Sequence, residues 1–121
     1  IDIVPLLEQA YAKEMANTLF EQIYAVNNAT CRDFPNSAHH HNQAAWLAAR
    51  CRRRLEDALA HAEAAVRLQP KRTAYIDTLA EVHFAHGNQP KAVELIRRCI
   101  KLEPANEFHK KRLEEFQAER K

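Results

Sequence analysis

A chain of 121 residues with 46% hydrophobic residues, one glycine and five prolines has the length of a single domain and the composition of a helical protein with few tight turns. Its 18 basic and 16 acidic residues nearly cancel to a formal charge of +2, so there is no polyelectrolyte field to draw in nucleic acid or an anionic membrane surface. No apolar run is long enough to cross a bilayer. The chain starts at Ile1 rather than Met, and the expectation is an excised segment of a larger protein.

Over residues 1–34, Leu7, Tyr11, Met15, Leu19, Ile23 and Val26 keep helical step, with no Gly or Pro between Pro5 and Pro35. The spacing predicts one long helix, with a degenerate helix pair as the second reading. In the stretch FPNSAHHH, Phe34 to His41, Ser37 is placed to cap a new helix. His39, His40 and His41 point about 100° apart on that helix and cannot converge on one metal, so they read as solvated first-turn residues or part of a partner surface. The next turn falls around Arg52 to Arg54, a charged inter-helix turn in preference to a phosphate site.

The following helix ends on AVRLQP, Ala65 to Pro70, and CIKLEP, Cys99 to Pro104, repeats it 34 residues later. At the same offset Ala58, Leu59, Ala62, Val66 and Leu68 map onto Ala92, Val93, Ile96, Ile100 and Leu102. What repeats is a small or aliphatic stripe followed by a stop. Between the two prolines, Tyr75, Ile76, Leu79, Ala80, Val82 and His83 recur at helical steps, until HGNQP, His86 to Pro90, breaks the run. Gly87 or Asn88 can take the left-handed conformation that closes a helix, and Pro90 suits the first turn of the next. The unit is two antiparallel helices, at roughly 73–86 and 90–102, crossing most closely at Ala80 and Ala92. Cys31, Cys51 and Cys99 form no CxxC or His/Cys ligand spacing, and Cys99, standing where the matching residue is Ala65, reads as a small buried thiol.

With Ile76, Leu79, Ala80, His83, Gly87, Ala92, Ile96, Cys99 and Pro104 at their positions, this unit resembles a tetratricopeptide repeat. It departs from the family at Ile76, His83 and Cys99, where Trp, Tyr and Ala are preferred. The preceding unit matches more loosely at Ala44, Ala45, Ala58, Ala62, Ala65 and Pro70, and lacks the Gly. The resemblance implies an all-α fold, a right-handed superhelical stack of antiparallel helix pairs. One domain, 1–121, would divide into 1–34, a repeat-like unit at 37–71, a repeat at 73–105 and a capping helix at 106–121. In that last helix Phe108, Leu113 and Phe116 are expected to face inward, and Lys110, Lys111, Glu114 and Glu115 outward.

No nucleophile motif, phosphate loop or HExxH pattern frames the histidines and cysteines, so the expectation is a non-enzyme with no cofactor and no metal site. The resemblance implies a concave groove lined by the first helix of each unit: Asn42, Gln43, Trp46, Ala49 and Arg50, then Asp77, Thr78, Glu81 and Phe84. Trp46 between polar neighbours is the natural anchor, unless it packs on the long helix instead. The basic clamp by which some family members hold a C-terminal carboxylate is not recognisable, since Asp77 and Glu81 carry the opposite charge, and a partner with basic and apolar residues would suit.

The leading functional reading is a protein-interaction module for a peptide or a partner segment, including another region of the same parent. The second is a structural extension of a longer solenoid, its groove filled by the long helix. The least favoured is a nucleic-acid binder using Arg50, Arg52, Arg53 and Arg54. The words NQAAW and DTLAEVHF suggest a bacterial parent, with a soluble, cytoplasmic setting.

Overall fold

The computed structural model describes residues 3–118. Among the described residues it contains six helices: α1 (Val4–Asp33), α2 (Ala38–Cys51), α3 (Leu55–Leu68), α4 (Thr73–Ala85), α5 (Gln89–Leu102) and α6 (Glu107–Ala118).

Local chemistry accounts for each boundary. Pro5 lies in the first turn of α1, and that helix runs unbroken for 30 residues to Phe34, whose N–H returns to the Thr30 carbonyl. Pro35 follows and prevents its continuation. The Ser37 hydroxyl accepts from the His40 N–H, capping α2. Gly87, at φ +88°, closes α4, while the Asn88 side chain caps α5 by accepting from the Lys91 N–H. The α2–α3 turn, which has no glycine, is built with Arg52 and Arg54 at φ 54° and 52°. Left-handed backbone is costly for residues that carry a Cβ, so the surrounding contacts must hold it. Arg53 lies over the Phe20 ring and Arg54 pairs with Glu21, both on α1.

Stacking runs in chain order. The helices α2 and α3 pair, α4 lies against both, α5 pairs with α4, and α6 packs on α5. At the crossings sit Ala44, Ala45, Ala48, Ala58, Ala62, Ala80 and Ala92, all 0% exposed. Larger side chains, Ile76, Leu79, Val82, Leu95 and Ile96, fill the space between α4 and α5. Cys99 is buried there as expected, with its thiol on the Thr73 carbonyl and burial pushing its pKa up to about 12.

Leu7, Tyr11, Met15, Leu19, Ile23 and Val26 are all exposed, because α1 meets the stack through its opposite side, with Phe20, Tyr24 and Cys31 buried. One expectation of burial is corrected. In α6, Phe116 is buried and Leu113 packs on the core, but Phe108 is exposed, since it lies beside the α5–α6 loop and faces the α2–α4 side.

The close crossing of α4 and α5 yields a direct test. Ala92→Leu would overpack a site with no free space and is expected to cost about 1–3 kcal/mol in a urea denaturation series, with an unchanged m-value.

Candidate peptide-binding groove

The groove is built by α2, α4 and α6. Side chains one turn apart on α2 and α4 project to the same side of the stack, and α6 folds back to close its far wall. Two cavities lie along it.

The first, of 380 Å³, is lined by Asn42 and Trp46 from α2, Thr73, Ala74, Asp77 and Thr78 from α4, and Asn106, Phe108 and His109 from the last loop and helix. Trp46 and Phe108 are 51% and 54% exposed, which is unusual for rings that line a cavity and have apolar area to bury. Two buried polar atoms on the lining residues lack partners: Asn42 Oδ1 and His109 Nδ1. The His109 ring is 3% exposed, and its Nε2–H donates to Glu103 Oε1 at 2.8 Å.

Glu103 organises this end of the groove. Its Oε1 also accepts from Thr73 Oγ1 at 2.9 Å and Asn106 Nδ2 at 3.2 Å. These hydrogen bonds, His109's foremost, hold the carboxyl below the usual glutamate range. One carboxylate thus ties the start of α4 to the α5–α6 loop and orients His109.

The second cavity, of 390 Å³, lies between Arg50, Arg52, Glu81, Phe84, Arg112, Glu115, Phe116 and Ala118. Phe84 and Phe116 pack with ring centroids 4.8 Å apart. Arg112 of α6 stands between the two cavities: its Nε donates to Asp77 Oδ1 at 3.1 Å, and its Nη2 donates to Glu81 Oε1. It also lies over the Phe116 ring at 4.5 Å. Burial pushes the Asp77 carboxyl up, and the neighbouring guanidinium offsets only part of that.

Of the residues expected in the groove, Asn42, Trp46, Asp77 and Thr78 meet in the first cavity, and Arg50, Glu81 and Phe84 in the second. Ala49 is buried in the core, and Gln43 is exposed but lines neither cavity. Trp46 does not pack under α1; Arg50 covers one face of it at 5.7 Å. Asp77 and Glu81 are both paired with Arg112 from within the chain, so one of their two negative charges is already compensated there. Thr73, Ala74, Asn106, Phe108, His109 and Arg112 went unrecognised. The alternation of Lys110, Lys111 and Arg112 with Glu114 and Glu115 resembles a solvated helix face, and nothing local marks Arg112 as the inward member.

The chain superposes on the first tetratricopeptide-repeat domain of Spaghetti (RPAP3), solved bound to the HSP90 peptide SRMEEVD, with a TM-score of 0.72 over 93% of this chain and 89% of that one, at 17% identity. The fold is that of a tetratricopeptide-repeat domain. No family model and no curated protein matches the sequence. The repeat fold rests on the spacing of small and aliphatic residues, which many side chains satisfy. In this stack α2 pairs with α3 and α4 with α5, and α6 follows the second pair.

In the α2–α3 turn Arg53 lies on Phe20 and Arg54 pairs with Glu21 at 2.6 Å, while Arg50 of α2 lies over Trp46. No described helix is long and apolar enough to cross a membrane.

Removing the Arg112 guanidinium would strand two mostly buried carboxylates. Arg112→Met is expected to destabilise the array by roughly 3 kcal/mol at neutral pH. The deficit should shrink as pH falls through the carboxylate range, because protonation removes the unpaired charges; denaturant melts at pH 4 and pH 8 check it.

Proposed function

We propose that this array is a protein-interaction module that holds an extended peptide or partner segment along the α2–α4–α6 groove. The observation that carries this reading is the presence of two half-exposed rings, Trp46 and Phe108, on one cavity between α2, α4 and α6. Rings of this kind gain most from covering an apolar side chain. The ligand is therefore a segment with an apolar anchor, supplied by another protein or by another region of the parent.

The RPAP3 domain was solved with a peptide bound, which makes peptide binding a sound precedent for this fold. Its acidic peptide is not the class assigned here. The first cavity has no cationic lining, and Arg112 is already matched by Asp77 and Glu81. The solenoid-extension reading required α1 to fill the groove, whereas α1 packs against α2 and leaves Trp46 open. The lining offers no nucleophile paired with a base, so no catalytic role is assigned.

The test is selection of peptides from a random displayed library on the immobilised 121-residue chain, followed by affinity measurement. Trp46→Ala and Phe108→Ala are each expected to weaken a selected peptide by about 30-fold, the effect of losing a hot-spot ring, with unchanged circular dichroism. Peptides that bind both variants as tightly as the parent would place recognition elsewhere.

A further inference from the structure

On the other side of the stack, Cys31 at the end of α1, His41 in the first turn of α2 and His61 in the middle of α3 bring their ligand atoms within 4.8 Å of one another. The two imidazoles present their Nδ1 atoms to each other at 2.9 Å. Behind them, His41 Nε2 is 2.8 Å from the Pro35 carbonyl, and His61 Nε2 is 3.0 Å from Asn28 Oδ1. A carbonyl can only accept, so His41 donates its Nε2–H and its Nδ1 carries a lone pair. The Asn28 oxygen sets the same tautomer in His61. With the Asn28 oxygen so turned, two lone pairs face each other beside a buried thiol, an arrangement that calls for a proton or a metal cation between them.

We propose that Cys31, His41 and His61 form a zinc-class metal site that staples α1 to α2 and α3. The donor set, one thiolate and two neutral imidazoles, is that of borderline divalent ions, and acceptors behind each Nε2–H are the usual way such imidazoles are held on a metal. Tetrahedral zinc would set the two nitrogens about 3.3 Å apart, which requires the rings to separate by a few tenths of an ångström. Cys31 releases its proton to solvent as the metal binds. Both imidazoles are partly exposed, so solvent water can supply the fourth ligand. The rival arrangement is a single proton shared between the rings, and metal titration separates the two.

The experiment is a Co²⁺ titration of the chelator-treated, reduced chain, followed by competition with Zn²⁺. One equivalent should saturate, with a thiolate-to-cobalt charge-transfer band and the strong visible bands of a tetrahedral centre, and Zn²⁺ should raise the melting temperature. Cys31→Ser should remove the charge-transfer band, and His61→Asn should weaken binding by about 100-fold. Cys51→Ser, His39→Gln and His40→Gln should leave both signals intact. The absence of a saturable band in the parent, or a band that persists in both Cys31→Ser and His61→Asn, overturns the site; circular dichroism of His61→Asn guards against loss by unfolding.

Discussion

An alanine holds two helix backbones no further apart than a methyl group, and this stack depends on that spacing. Neither helix of a pair can bury its stripe alone, because a single amphipathic helix leaves too much apolar area wet to offset the entropy of ordering it. Alanines at every crossing, from Ala44 and Ala45 through Ala58 and Ala62 to Ala80 and Ala92, let successive helices approach closely enough to share one core. Bulk is confined to positions between the crossings, as with Ile76, Leu95 and Ile96. The groove is the other face of the same constraint, since helices stacked this tightly turn one row of side chains to a common side.

The cap helix gives the groove its character. Glu103 gathers Thr73, Asn106 and His109 at one end, and Arg112 reaches back to Asp77 and Glu81 in the middle. Through these two polar clusters α6 is held where it lines both cavities instead of merely covering the end of the core. The Arg112 cluster is largely withdrawn from water, and breaking it would leave charge uncompensated. The first cavity consequently has fixed walls and two open rings.

At the opposite end, α1 joins the stack by one side only. Phe20 and Tyr24 stack at 5.4 Å, Arg53 and Arg54 reach onto the two rings, and Asn28 reaches the His61 ring. The side facing away is as apolar as the side that packs. A helix with two apolar faces cannot satisfy both from within six helices, and this accounts for the exposed stripe without any defect in the fold.

Local rules made most of the array legible. The 34-residue echo between Pro70 and Pro104, the Ser37 cap, the left-handed Gly87 and Pro90 in a first turn all depend on near neighbours in the chain. Half of the groove could be read the same way, because residues on one helix face share a side wherever the helix is placed. Tertiary structure alone decided the rest. Whether α1 turned Phe20 or Met15 to the stack, whether Phe108 pointed in or out, and whether Arg112 met solvent or Asp77 were settled by contacts between elements far apart in sequence. The convergence of Cys31, His41 and His61 is of the same kind, drawn from three helices with no spacing motif to announce it. Helical periodicity specifies a face, but only the packed neighbour determines what that face meets.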